Sequence, residues 1–424
     1  MARKVTKSQR KRPKGGEEPS TGKPVTDKPA SKDPAINEPA VNESDTSKSA
    51  AGSTNGQPQK NIGFRIDKGI KEHPKDVAAQ DANQNVPQDV GQEVSPRIDV
   101  EMKGLEDLVF GVPSLIQSSL GNMGNFELVV PLADPGLAYL WRDNDNAELP
   151  WYGPQIFGTE AGRFGAASLI QSCFGEYGNL ELVATDLGGH RIIHFWRDAG
   201  PKFEWHGPNF ISEESYVPVF SGNPSLIQST YGNTGNFDLV IPLAEGGMTH
   251  YWRDNDDPAL PWYGPFDFGH TTIYNAVCMI QSNFGDKGNL ELVAMAGDDL
   301  AFFWRDSGPE HTWNGPTIIA TGAFGCPSMI QSSYGRRGTF EVVTPMVSGG
   351  LAHYWRDNDD PALPWYGPYL FGARLGKVDA VTLIQSNFGP GNLELIARVD
   401  SQLAHFWKDT GPDFKWNGPF FIDF

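Results

Sequence analysis

From about residue 105 onward, apolar residues fall in short runs separated by polar or glycine-rich turns, and four such runs make one unit. In one unit the runs span Pro224 to Ser229, Asn236 to Ile241, Met248 to Arg253 and Trp262 to Phe268. Runs of this length, rich in aromatic and β-branched types, suit strands and are too short for helices. Gly232 and Gly235 lie between the first two runs, and Gly246 and Gly247 between the next two. Glycine there supplies the positive φ that a tight hairpin requires. Each unit therefore predicts four antiparallel strands.

The unit recurs six times. An Ile-Gln-Ser phrase places its glutamine at Gln117, Gln171, Gln228, Gln281, Gln331 and Gln385, at steps of 50 to 57 residues. A Trp-(Arg/Lys)-Asp phrase begins at Trp141, Trp196, Trp252, Trp304, Trp355 and Trp407. A Trp-x-Gly-Pro phrase begins at Trp151, Trp205, Trp262, Trp313, Trp365 and Trp416, and the two sets account for all 12 tryptophans. Four strands per repeat of this length is the blade of a β-propeller. The predicted fold is all-β, a six-bladed β-propeller of four-stranded antiparallel blades over residues 101–424.

The first and last copies keep every landmark, which favours a closed ring over a solenoid with modified end caps. Residues 109–112 resemble an outer strand (residues 370–373) and are a candidate to complete the closure. Copies one, three and five share a longer Trp-Arg-Asp-Asn-Asp link and a Leu-Pro-Trp-Tyr-Gly-Pro phrase, while the others have a shorter link. The alternation predicts threefold symmetry of blade pairs.

Residues 1–100 are different in kind. They hold ten prolines and a single aromatic residue, Phe64, too little apolar surface to offset chain entropy. This segment is expected to be a disordered low-complexity tail. Seven Lys or Arg fall in its first 14 residues, which suggests a nuclear import signal or an anionic tether, against the plainer reading of a solvated leader. No apolar segment follows the N-terminus, so a cytoplasmic or nuclear location is expected.

Charge sharpens the picture of the body. The net charge is −18, and from residue 101 onward 17 basic residues face 38 acidic ones. So acidic a body repels phosphate backbones, and nucleic acid is an unlikely partner for it. The three cysteines, Cys173, Cys278 and Cys326, form neither a disulfide framework nor a zinc site. No run of 18 apolar residues exists to span a membrane.

Several positions carry candidate chemistry. An acid stands near the start of each second strand (Glu127, Glu181, Asp238, Glu291, Glu341, Glu394). A base follows each third-strand tryptophan (Arg142, Arg197, Arg253, Arg305, Arg356, Lys408). These strands are hairpin partners, so a structural ion pair within each blade is expected. Six equivalent pairs do not make the one asymmetric constellation that catalysis needs. No nucleophile elbow, P-loop or dinucleotide fingerprint is present, and the chain is read as non-enzymatic.

Two residues before the third-strand tryptophan stand His194, His250, His353 and His405, with Tyr139 and Phe302 in the remaining copies. Aromatic replacement suits packing or sugar contact better than ligation. No metal or other cofactor is expected. The acidic stretches 143–146, 254–257 and 357–360 lack the glycine and distal glutamate of a calcium loop and read as surface loops.

The Trp-x-Gly-Pro tryptophans are the candidate carbohydrate-binding residues: Trp151, Trp205, Trp262, Trp313, Trp365 and Trp416. An indole stacks on the C–H face of a sugar while neighbouring polar groups bond its hydroxyls; blade-to-blade packing is the competing role. Tyr152, Tyr263 and Tyr366, the next residues in three copies, add hydroxyl donors, and one class of three strong sites is expected.

Gly-Asn-Leu-Glu-Leu-Val-Ala (178–184, 288–294), Leu-Ala-His-Phe-Trp (403–407) and Trp-Asn-Gly-Pro (416–419) resemble a known blade. They are similar to the repeat of the bacterial propeller lectins that bind fucose and O-methylated sugars, the Photorhabdus lectin family. The resemblance covers residues 105–424. It implies a multivalent, non-catalytic lectin with sites between adjacent blades and glycans or glycoproteins as partners. The alternatives are a protein-interaction scaffold without sugar affinity and, more remotely, a propeller hydrolase or lyase.

Overall fold

The computed structural model describes residues 109–200, 202–212, 219–307, 312–409 and 415–422. The tail expected for residues 1–100, with its basic cluster, lies outside the described residues. Among the described residues there are six four-stranded antiparallel sheets, each built from four consecutive strands. Blade 5 shows the pattern, with strands Ser328–Gln331, Phe340–Pro345, Leu351–Arg356 and Trp365–Phe371. Blades 1, 2, 3, 4 and 6 begin at Ser114, Phe164, Ser225, Ala276 and Ala380.

Side chains alternate between the two faces of each sheet, and both faces of a blade are covered by its neighbours. Six apolar clusters result, one at each seam. At the seam of blades 1 and 2, Val129, Leu137 and Phe157 of the first meet Leu169, Leu182 and Phe195 of the second. At the seam that closes the ring, Leu115, Leu128 and Leu140 of blade 1 meet Ile396, Leu403 and Ile422 of blade 6. This explains why the second strands read as almost continuous apolar runs, buried at every position in blades 1, 3 and 5.

Closure is also visible in hydrogen bonds. The glutamine of each Ile-Gln-Ser phrase accepts an N–H from the preceding blade. Gln281 Oε1 accepts from Thr230 at 2.8 Å, and Gln331 Oε1 from Asn283 at 3.0 Å. The last link joins the two ends of the chain: Gln117 Oε1 accepts the Asn387 N–H at 3.0 Å, and Gln117 Nε2 donates to Asn387 Oδ1 at 2.7 Å. A second ring runs through the inner strands, where Leu169 N–H donates to Ser114 Oγ and Leu115 N–H to Thr382 Oγ1. In blade 4 the thiol of Cys278 takes the hydroxyl's place and accepts from Met329 N–H.

One expectation is corrected. Residues 109–112 do not complete blade 6, whose outer strand is its own Trp416–Phe421. Val109 pairs instead with Leu132 beyond the second strand of blade 1, and Val112 with Ala166 of blade 2. Every blade already holds four strands of its own, so blade 6 needs none from the start of blade 1.

If the ring is closed, Gln117→Ala and Gln281→Ala should cost alike. Each loses side-chain bonds across a seam, about 1–2 kcal/mol in urea denaturation. A neutral Gln117→Ala beside a costly Gln281→Ala would mean that the chain ends do not meet.

Candidate functional site

The register of each blade decides what its polar residues can reach. In blade 5, Ile330, Glu341, Trp355 and Tyr366 lie directly opposite one another across the four strands. Gln331, Phe340, Arg356 and Trp365 form the next row, which points to the other face. Acid and base of one blade are therefore on opposite faces. The expected ion pair within each blade does not form.

The pairing runs across the seams instead. Arg305 of blade 4 approaches Asp238 of blade 3, Nη1 to Oδ1 at 3.8 Å. The positive charges of Arg197, Arg253, Arg356, Lys408 and Arg142 act likewise on Glu127, Glu181, Glu291, Glu341 and Glu394 of the preceding blades. All six acids are buried. Glu181, Glu341 and Glu394 each receive His Nε2 of their own blade at 2.7 Å and a serine hydroxyl at 3.1–3.2 Å. Glu127 receives the Tyr139 hydroxyl in place of a histidine.

Each seam thus becomes a cleft with a fixed cast. The earlier blade supplies the acid, its His or Tyr (Phe302 in blade 4), the third-strand tryptophan and the side chain after the outer-strand tryptophan. The later blade supplies the base and its own outer-strand tryptophan. Trp151 and Tyr152, adjacent in sequence, consequently serve different clefts, as do Trp262 with Tyr263 and Trp365 with Tyr366. The shared partners are Tyr152 with Trp205, Tyr263 with Trp313, and Tyr366 with Trp416. Tyr263 stacks on Trp252 at 4.4 Å and is about two fifths exposed.

A bulge at the cis Gly-Pro bond brings that tyrosine alongside the tryptophan. Gly264 has φ 133°, and a Cβ there would come within 2.9 Å of the His250 carbonyl oxygen. Only glycine fits the bulge.

The clefts fall into two classes. In the clefts 1/2, 3/4 and 5/6, the later tryptophan lies flat on a phenylalanine of the earlier blade. Trp205 stacks on Phe157 at 4.1 Å, Trp313 on Phe268 at 4.5 Å, and Trp416 on Phe371 at 4.6 Å. All three indole Nε1 atoms are buried without a hydrogen-bond partner among the described residues, as are Arg197 Nη1 and Asp238 Oδ2.

In the clefts 2/3, 4/5 and 6/1, the equivalent phenylalanine is Ile211, Ile319 or Ile422. There the arginine is immobilised. Arg253, Arg356 and Arg142 each lie 3.9 Å over a phenylalanine of their own blade and 5.3–5.4 Å from one of the preceding blade. Each donates Nε–H to a loop asparagine at 2.7–2.8 Å. The own-blade phenylalanine is a leucine (Leu180, Leu290 or Leu393) in the first class. Arg197 lies 4.7 Å over Tyr139 across its seam instead.

The cleft 5/6 opens into a cavity of about 390 Å³ lined by Tyr334, Thr339, Glu341, His353, Trp355, Tyr369 and Lys408. That is room for a small ligand, with an acceptor, donors and aromatic faces converging. A second cavity, of about 430 Å³, lies where the segments preceding the inner strands meet. Its acids are already engaged: Asp186 by Arg191, and Asp379 by Lys377 and Arg398.

The acidic loops clasp turns. Asp145 accepts the N–H of Asn122 and Met123, Asp256 that of Asn233 and Thr234, and Asp359 that of Arg336 and Arg337. These bonds hold the three carboxyls below the usual carboxylate range. Among the described residues no three His, Cys, Asp or Glu side chains group as a metal ion would need.

Two sequence features distinguish the classes: Phe or Ile six residues after the outer-strand tryptophan, and Phe or Leu opposite the base. The acid and base, expected to be structural, lie in the clefts as well.

No protein-family model matches the chain, and no curated protein is similar to it in sequence. Solved structures are similar in fold. A lectin from Burkholderia pseudomallei is 19% identical, with 74% of this chain and 86% of that one covered at a TM-score of 0.53. AofleA from Arthrobotrys oligospora is 11% identical over 76% and 88%, at 0.59. The Aleuria aurantia lectin, a six-bladed β-propeller described for its fucose recognition, is 13% identical over 76% and 97%, at 0.54. The six-bladed ring is common ground.

Glu291 has no donor at the histidine position, where Phe302 stands, and its carboxyl is raised, as is that of the more deeply buried Glu127. Burial pushes the Glu291 carboxyl up to about 7 against the pull of Arg356 and Ser282. The folded state then holds a proton that the unfolded chain releases near its ordinary value of about 4.3, so stability falls as pH rises from there to about 7. Phe302→His restores a donor. It should make the loss between pH 5 and 7.5 smaller by roughly 1–2 kcal/mol in urea denaturation. Identical pH slopes for the two chains would contradict this.

Proposed function

We propose that the body is a multivalent, non-catalytic saccharide-binding ring whose principal sites are the clefts 1/2, 3/4 and 5/6. The observation that carries this reading is the buried indole N–H without a partner, repeated at Trp205, Trp313 and Trp416. An orphaned buried donor is costly, and three in register point to a ligand acceptor supplied from outside. Each stands beside a carboxylate that accepts and a cation that donates. Pyranose hydroxyls do both, which suits a neutral polyhydroxylated ligand better than an anion or a peptide.

The aromatic side chains serve the other half of the chemistry. Exposed faces of Tyr152, Tyr263 and Tyr366, backed by Trp141, Trp252 and Trp355, receive the apolar C–H surface of a sugar. The acid is fixed at both oxygens in clefts 1/2 and 5/6, by a serine and by Tyr139 or His353, and in cleft 3/4 at one oxygen, by His250. Saccharide is also what the proteins similar in fold are named for, among them a lectin in complex with α-methyl-L-fucoside. Three weak sites on one ring gain strength on branched glycans through effective concentration.

Trp313→Phe keeps an aromatic ring on Phe268 and removes the N–H. In calorimetry with methyl α-L-fucoside it should weaken one site of three about tenfold, while the melting temperature stays within a few degrees. Trp313→Ala, by contrast, should cost roughly 3–5 kcal/mol of stability. A glycan array showing no binding by the full chain would overturn the reading.

A further inference from the structure

The three principal clefts differ at their buried acid. Clefts 1/2 and 5/6 hold glutamates, Glu127 and Glu341, and each takes a serine hydroxyl, from Ser118 at 2.7 Å and Ser332 at 3.2 Å. Cleft 3/4 holds Asp238, one methylene shorter. Ser229, at the matching place, keeps the bond to a backbone carbonyl that its counterparts also make, to Asn236 at 3.2 Å, and among the described residues no bond joins it to Asp238.

The retracted carboxylate is held from one side only. Arg305 Nη1 lies 3.3 Å from His250 Nδ1. A guanidinium only donates, so that nitrogen accepts and the ring proton sits on Nε2. It is donated to Asp238 Oδ1 at 2.9 Å. Oδ2 is left buried and without a partner, 2% of the residue being exposed. Trp313, whose Nε1 is likewise unpaired, stands edge-on to His250 at 6.1 Å. Cleft 3/4 thus carries an orphan acceptor in addition to the orphan donor common to its class.

We propose, on the reading of these clefts as saccharide sites, that cleft 3/4 takes a donating hydroxyl for which Glu127 and Glu341, each bonded at both carboxylate oxygens, leave no acceptor in its two counterparts. It prefers a hexose with its exocyclic hydroxyl to the 6-deoxy sugar. The ring hydroxyls are met by the acid, cation and indole that all three clefts share, so the added acceptor answers to an added group. Among monosaccharides of one ring configuration, the exocyclic hydroxymethyl is the group that is present in some and reduced to a methyl in others. Asp238 Oδ2 is the acceptor for its proton.

The test uses the full chain and two probes, methyl α-L-galactoside and methyl α-L-fucoside, which differ only in that hydroxyl. Calorimetry in a Trp205→Phe, Trp416→Phe background, which removes the indole donors of clefts 1/2 and 5/6 without stranding a buried charge, reads cleft 3/4. Asp238→Glu should lower affinity for the galactoside at least fivefold and alter that for the fucoside less than twofold. Glu341→Asp, in a Trp205→Phe, Trp313→Phe background, should shift cleft 5/6 the opposite way. Should Asp238→Glu melt early, Asp238→Asn keeps the room, weakens the acceptor, and should lose the same preference. An unmoved ratio with both sugars still bound overturns the inference and leaves a water on Oδ2. If the unsubstituted chain binds neither sugar, this inference fails, while the saccharide reading stands or falls on the glycan array.

Discussion

Each blade buries a carboxylate that its own sheet cannot neutralise. Glu341 and Arg356 sit on neighbouring strands one residue out of line, and a period of two turns them to opposite faces. A buried charge without a counter-charge is penalised by several kcal/mol. The counter-charge comes from the following blade, Lys408 in this instance. A blade alone, or an array with free ends, leaves one carboxylate or one cation stranded at each end. The ring has no ends, and Glu394 meets Arg142 across the joint between last blade and first. Electrostatics therefore favours closure independently of the glutamine ring and the apolar seams.

The same constraint places the clefts. Because acid and base must meet across a seam, every seam concentrates a donor and an acceptor among aromatic rings. What distinguishes alternate seams is packing. Phe157, Phe268 and Phe371 each present a flat ring that seats the next tryptophan and leaves its N–H without a partner; Ile211, Ile319 and Ile422 do not. Conversely, Phe126, Phe237 and Phe340 clamp the arginines of the other class between two rings. Threefold symmetry thus emerges from two apolar substitutions made in alternation.

The strongly acidic body is consistent with this arrangement. Part of the excess is spent in Asp145, Asp256 and Asp359, which tie down the first hairpin turn of the odd blades. Those turns carry Leu120, Tyr231 and Tyr334, and the hydroxyls of Tyr231 and Tyr334 reach Gly288 and Gly391 of the next blade. These acidic surface loops steady the rim of the clefts.

Repetition made the architecture legible in the sequence. Six copies of Gln, Trp and Trp in fixed order imply six identical units, strand-length runs imply four strands in each, and intact end copies imply a ring. The alternation of copies was legible too. What one sequence could not show is which face meets which neighbour. Acid and base looked like hairpin partners, and Trp151 with Tyr152 looked like one site, because proximity along the chain was the available measure. Pleating sends adjacent residues to opposite faces, and ring closure sets each face against a different blade. The sequence by itself determined the blade and its count. The pairing of Trp205 with Tyr152, of Arg305 with Asp238, and the unpaired indole between blades were decided by tertiary structure, because a cleft made by two sheets belongs to neither sheet's own sequence.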